Sequence, residues 1–170
     1  MTLDERVFER AGRRLHSWVG GASGGSPVDF THGATIDHRE WQATLPLVAE
    51  RYRVVAWDVR GHGASRPGRF NVAEAVGDLV ALLDLFGFPQ ATFVGHSMGG
   101  NLHQELVFRH PDRVRALACV DCTWNFQRLT ALEKLTLKMA PILRLTPEHW
   151  LLEQSLRPRP PRPPATSSAR

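Results

Sequence analysis

The stretch Phe93-Val94-Gly95-His96-Ser97-Met98-Gly99-Gly100 constrains this chain more than any other. Ahead of it, Ala91-Thr92-Phe93-Val94 reads as a short buried strand; behind it, residues 101–109 read as a helix that Pro111 ends. A Gly-x-Ser-x-Gly pattern between strand and helix matches a tight turn that lifts a serine hydroxyl clear of a sheet. Gly95 and Gly99 flank that turn, where a Cβ would collide with the neighbouring strand or helix. Ser97 then heads the helix, where free N–H groups and the peptide dipoles favour developing negative charge. Five residues alone are a weak signal. The strand before and the helix after make Ser97 a candidate nucleophile rather than part of a plain glycine-rich turn.

The rest of the chain repeats that strand-then-helix rhythm. Residues 7–12 and 13–19 read as a strand pair turning near Gly12, followed by a flexible loop, Gly20-Gly21-Ala22-Ser23-Gly24-Gly25-Ser26-Pro27. Val28-Asp29-Phe30-Thr31 is a short strand ending at His32-Gly33. Asp37 with Glu40 makes an N-cap pair for a helix carrying Trp41, Leu45 and Val48, which Pro46 kinks or ends early. Arg53-Val54-Val55-Ala56-Trp57 is a strand. Asn71 and Glu74 cap a helix with Val72, Val76, Leu79, Leu83 and Phe86 on one face, closed by Gly87. Ala116-Leu117-Ala118-Cys119-Val120 reads as a buried strand ending at Asp121. Strands alternating with amphipathic helices imply an α/β fold, a mostly parallel sheet with flanking helices on both faces.

After Asp121 two helices follow in succession, one capped by Thr130 and Glu133, the next opened by Thr146 and Pro147. They read as the start of a helical lid. The run Arg157-Pro158-Arg159-Pro160-Pro161-Arg162-Pro163-Pro164 fits neither helix nor sheet and reads as a disordered Arg/Pro-rich tail. The expected organisation is a core over residues 1–124, a lid start over 125–156 and a tail over 157–170.

Charge and composition narrow the function classes. The formal charge is +4, from 21 basic and 17 acidic residues. Four of those basic residues (Arg157, Arg159, Arg162 and Arg170) lie in the tail, so the remaining 17 balance the 17 acids. No basic face is left for nucleic acid. No stretch approaches the roughly 18 apolar residues of a membrane helix. Met1-Thr2-Leu3-Asp4-Glu5-Arg6 carries acids and no apolar run, so a signal peptide is not expected and the cytoplasm is the expected location. Cys119 and Cys122 sit three apart in an extended run, which would place them on opposite faces and too far apart for a disulfide; no second pair completes a zinc site.

Four segments, in this order, carry a resemblance: Phe30-Thr31-His32-Gly33-Ala34, Asp58-Val59-Arg60-Gly61-His62-Gly63-Ala64-Ser65, Val94-Gly95-His96-Ser97-Met98-Gly99-Gly100 and His110-Pro111-Asp112-Arg113-Val114. The chain resembles the N-terminal portion of the α/β-hydrolase superfamily, in its lid-bearing serine esterase, lipase and peroxidase-like branch. The resemblance implies acyl transfer to water on a small ester-like substrate, with Ser97 as nucleophile and no cofactor or metal. It places the oxyanion hole at the backbone N–H groups of Met98 and Ala34. His32 and His62 fall in loop-shaping positions, and Phe30 and Trp124 are candidates for the wall of an acyl pocket or for core packing. An aspartate at position 97 would have implied dehalogenase chemistry instead.

The chain also departs from the family. A serine hydroxyl needs a general base, and the base a carboxylate to orient it, in the order Ser, acid, His. Asp121 is a candidate acid at the end of its strand. Of the histidines after Ser97, only His149 follows Asp121, and it lies in a lid-like helix. Three readings follow: a truncated serine hydrolase lacking the last strands and the triad histidine, an esterase drawing its base from His149 or a partner chain, and a binding or scaffolding remnant of the same fold. In the first, the open apolar edge Ala116-Leu117-Ala118-Cys119-Val120 is expected to make the chain poorly soluble.

Overall fold

Period-two alternation along short strands decides which side chains meet which helices. The computed structural model describes residues 2–123. The chain falls into two compact units, residues 1–128 and 129–170, and the described residues belong to the first. Six strands, β1 (Asp4–Arg10), β2 (Arg13–Gly21), β3 (Pro27–Thr31), β4 (Arg53–Trp57), β5 (Ala91–His96) and β6 (Val114–Val120), form one sheet in the order β1-β2-β4-β3-β5-β6. β1, β2 and β4 pair antiparallel, whereas β4, β3, β5 and β6 run parallel. The expected α/β architecture is present, with an antiparallel hairpin on one side. That hairpin turns on Ala11 and Gly12, at φ 49° and 68°, the two positive values that suit a two-residue turn to the twist of its strands.

Among the described residues three α-helices cover the sheet: α1 (Leu45–Ala49), α2 (Val72–Leu85) and α3 (Met98–Arg109). In β4, Val55 and Trp57 pack with Val76, Leu79, Leu102 and Leu106 of α2 and α3. Val54 and Ala56 point the other way, onto Trp41, Leu45 and Ala49. One strand thus feeds two apolar layers, as a parallel sheet requires. Asn71 caps α2 by accepting from Glu74 N–H at 3.0 Å, and Gly87 ends it at φ 67°. Among the described residues no helix is long and apolar enough to cross a membrane.

Three expectations are corrected. The helix expected from Asp37 is two pieces, a 3-10 turn (His38–Trp41) and α1, with Pro46 in the first turn of α1 where its missing N–H is harmless. The glycine-rich loop is shorter than its composition suggests. Gly20 and Gly21 pair with Val54 and Arg53 as part of β2, and Pro27 opens β3. The strand 116–120 begins earlier, at Val114, and is not buried: its residues 115–120 are exposed, because among the described residues it pairs only with β5. The lid helices around Thr130, Glu133, Thr146 and Pro147, the tail, Trp124 and His149 lie outside the described residues.

The exposed apolar edge has a measurable consequence. Leu117 is 36% and Val120 46% exposed. Leu117→Lys should raise the monomer fraction in size-exclusion chromatography, since a charge on an open strand discourages pairing between chains. An unchanged elution profile would show that self-association, if any, uses another surface.

Candidate active site

Strand register brings the two glycine-containing loops together. β3 lies between β4 and β5, with Thr31 opposite Gly95. His32-Gly33-Ala34 therefore leaves the sheet beside His96-Ser97-Met98, at the carboxyl edge where ligands of open α/β sheets collect. Ser97 has φ 48° and ψ −112°, a conformation that costs a non-glycine residue of order 1–3 kcal/mol. Its surroundings hold it there: its N–H donates to Val120 O at 2.9 Å, and its carbonyl accepts from Asn101 N–H at 3.1 Å. The turn also depends on missing side chains. A Cβ on Gly95 would stand 2.5 Å from Gly100 N, and one on Gly99 would run into the Thr31 carbonyl.

Ser97 is half-buried and its hydroxyl makes no capping bond. Met98 is the first residue of α3, so its N–H lacks an intrahelical acceptor, while its side chain is 6% exposed in the core. Phe30 is core rather than pocket wall, 2% exposed and 5.2 Å from the Trp41 ring.

Two histidines shape the loop after β3. His32 Nε2 accepts from Val59 N–H at 3.0 Å, which leaves Nδ1–H to donate to Gly33 O at 2.7 Å. Burial pushes its pKa down and favours this neutral form. His62 Nε2 meets the carbonyl of exposed Ala34 at 2.8 Å. Glu40 departs from its expected place in a capping box. Asp37 caps the 3-10 turn alone, accepting from Arg39 N–H at 3.0 Å. Glu40 Oε2 instead accepts from Gly33 N–H at 3.0 Å, and Oε1 lies 2.5 Å from His96 Nδ1. The His96 contact is a close approach without the geometry of a directed hydrogen bond. Glu40 thus straps the loop after β3 to the residue preceding Ser97.

Asp121 follows β6 at φ 46° and is exposed, with no ion pair among the described residues. The pairing of His96 with Val120 puts it on the same edge as Ser97. Four more of the described histidines are engaged elsewhere: His16 with Glu5, His38 with Asp58, His96 with Glu40 and His103 with Asp29 and Thr31. None bonds the Ser97 hydroxyl.

Asp37, His38 and Asp58 bring ligand atoms within 4.8 Å of one another, the one such cluster among the described residues. However, the Arg39 guanidinium clasps Asp37, and Asp58 accepts from His38 and from Ala64 N–H. Those carboxylates bind the loops together.

The cysteine expectation is overturned. The chain bends at Asp121, so Cys119 and Cys122 do not point apart: both sulfurs approach Gln104 Nε2, at 4.0 and 3.8 Å. Sequence reasoning also missed Glu40–His96, because Glu40 fitted the capping pattern. It missed the pair of Arg60 and Asp78 as well, whose signal was an acid inside the apolar stripe of α2.

A strained serine turn closing a central parallel strand, with helices on both sheet faces, defines a class. This chain belongs to the alpha/beta hydrolase fold family, whose model matches residues 27–148. It is 34% identical over 120 residues to epoxide hydrolase B of Mycobacterium tuberculosis, covering 66% of this chain and 34% of that protein. It is 41% identical over 86 residues to 3-oxoadipate enol-lactonase 2 of Acinetobacter baylyi, covering 49% and 32% respectively. A solved hydrolase from Pseudomonas aeruginosa PA01 superposes with a TM-score of 0.72 at 25% identity, over 90% of this chain and 58% of that one. The chain spans about a third of the length of these two curated relatives.

Proposed function

We propose that Ser97 is the nucleophile of an acyl-transfer site acting on an ester-like bond of a small molecule. The observation that carries this reading is the Ser97 backbone, held at φ 48° at the head of α3. Strain of this kind persists where the surroundings over-determine it, and it clusters at reacting residues. Ser97 Oγ attacks the carbonyl carbon, and the N–H groups of Met98 and Ala34 donate to the oxygen as it gains charge. The carbonyl electrons return, the alcohol leaves with a proton, and a Ser97 acyl-enzyme remains for water to hydrolyse. This chemistry calls on no metal or cofactor.

Among the described residues no histidine meets the Ser97 hydroxyl to take its proton, and Asp121 is the candidate acid to orient a base. We read residues 1–124 as the first part of the hydrolase core, 125–156 as the start of a lid and 157–170 as a tail, in a cytoplasmic protein. That no described histidine bonds the Ser97 hydroxyl favours a second reading, a fold that binds without reacting. Exposure to a short-chain p-nitrophenyl ester separates the two. Acyl transfer predicts a mass increase of one acyl group on the Ser97 peptide, absent in Ser97→Ala, and slow deacylation lets it accumulate. No acylation at Ser97 would favour the binding reading.

Glu40 supplies a graded check. Glu40→Ala frees Gly33 N–H and unties the loop from His96, so acylation should slow about tenfold. Glu40→Gln keeps an acceptor for Gly33 and should stay within about threefold of the parent rate. Equal losses in both would point to charge rather than positioning.

A further inference from the structure

β6 ends at Val120, and Asp121 takes φ 46°, so Cys122 turns back over the first turn of α3. There a Cβ on Gly100 would stand 2.6 Å from Cys122 Sγ, and Cys119 Sγ lies 3.9 Å from the Gly100 carbonyl. The two thiols share Gln104 Nε2, at 4.0 Å from Cys119 Sγ and 3.8 Å from Cys122 Sγ. Both are free; Cys119 is exposed and Cys122 half-buried. Two free thiols gathered on one side-chain nitrogen, one of them exposed, are a substrate for thiol–disulfide exchange.

We infer that Cys119 and Cys122 form a reversible redox pair, closed to an intramolecular disulfide by a low-molecular-weight disulfide such as oxidised glutathione. The Cys122 thiolate attacks one sulfur of glutathione disulfide, forms a mixed disulfide and expels one glutathione thiolate. The Cys119 thiolate then attacks Cys122 Sγ, closes the ring and expels the second. The protein loses two electrons and two thiol protons, and glutathione disulfide becomes two reduced glutathiones. In the reduced pair, partial desolvation and the neighbouring Cys122 raise the Cys119 thiol to about 11, which favours Cys122 as the first to attack. The ring runs from Cys119 to Cys122 and encloses Asp121 and Val120, whose carbonyl holds Ser97 N–H. Oxidation therefore fixes the strand end beside the serine. None of this depends on Ser97 being a nucleophile.

The test is to treat the chain with glutathione disulfide from about pH 7 to about pH 9, quench with acid, and read intact mass and thiol content. The expected product is a monomer lighter by two hydrogen atoms, with a Cys119–Cys122 link in its peptide map and both thiols restored by dithiothreitol. Its formation should speed up as the pH rises from about 7 to about 9, following the thiolate fraction. A persistent glutathione adduct, a disulfide-linked dimer or two unreacted thiols would overturn the inference. Cys119→Ser should stop at one adduct on Cys122; an unreactive Cys122 in that variant would overturn the order of attack.

Discussion

Asp78→Ala is expected to destabilise the fold by about 3–5 kcal/mol, because it strips a buried guanidinium of its main partner. Asp78 lies on the sheet-facing side of α2 and is fully buried, and Arg60 is 3% exposed. Arg60 Nε and Nη2 reach the two Asp78 oxygens at 2.5 and 2.7 Å, and Arg10 Nη1 adds a third bond at 3.0 Å. Such a two-pronged pair is directional as well as strong. Glu74, which also contacts Arg60, remains in the variant and sets the lower end of the range. The damage should reach the site, since Arg60 precedes Gly61-His62 and the His62 ring holds Ala34. Urea denaturation with an unchanged slope would measure the loss. A value below about 1 kcal/mol would show that the pair does not hold α2 to this loop.

Gly99→Val should cost about 3 kcal/mol or more and remove reactivity at Ser97 with it. Gly99 is where α3 crosses the end of β3. A Cβ there meets the Thr31 carbonyl and stands 2.9 Å from His32 O, both backbone atoms at the end of a central strand. No flexible side chain can yield, so α3 must move away from the sheet and take the Ser97 turn along. Gly24→Val, with no atom within 4 Å of its Cβ position, is the control and should stay within about 0.5 kcal/mol of the parent. Similar melting curves for the two variants would mean that α3 can move off β3 without loss.

Much of the framework was legible in the sequence because it rests on local rules. The Ala11-Gly12 turn, the Asn71 cap and the Gly-x-Ser-x-Gly turn each involve residues that are neighbours in the chain. What escaped was long-range. Glu40 bonds Gly33 and approaches His96, 56 positions on, and nothing in its local pattern distinguishes that from a helix cap. The cysteines were misplaced because a straight strand was assumed through Asp121, whose positive φ bends it. β6 looked buried on composition alone; exposure depends on its neighbours in the sheet, which one strand's sequence does not carry. The network of Asp29, Thr31, Trp57 and His103 was hidden in the same way, its residues lying on three different elements.

The assignment of Ser97 as a nucleophile flanked by two amide donors is tested most directly by fluorophosphonate labelling with peptide mapping. The adduct should form on Ser97 alone and vanish in Ser97→Ala. Label that persists in Ser97→Ala, or maps elsewhere, would contradict the assignment.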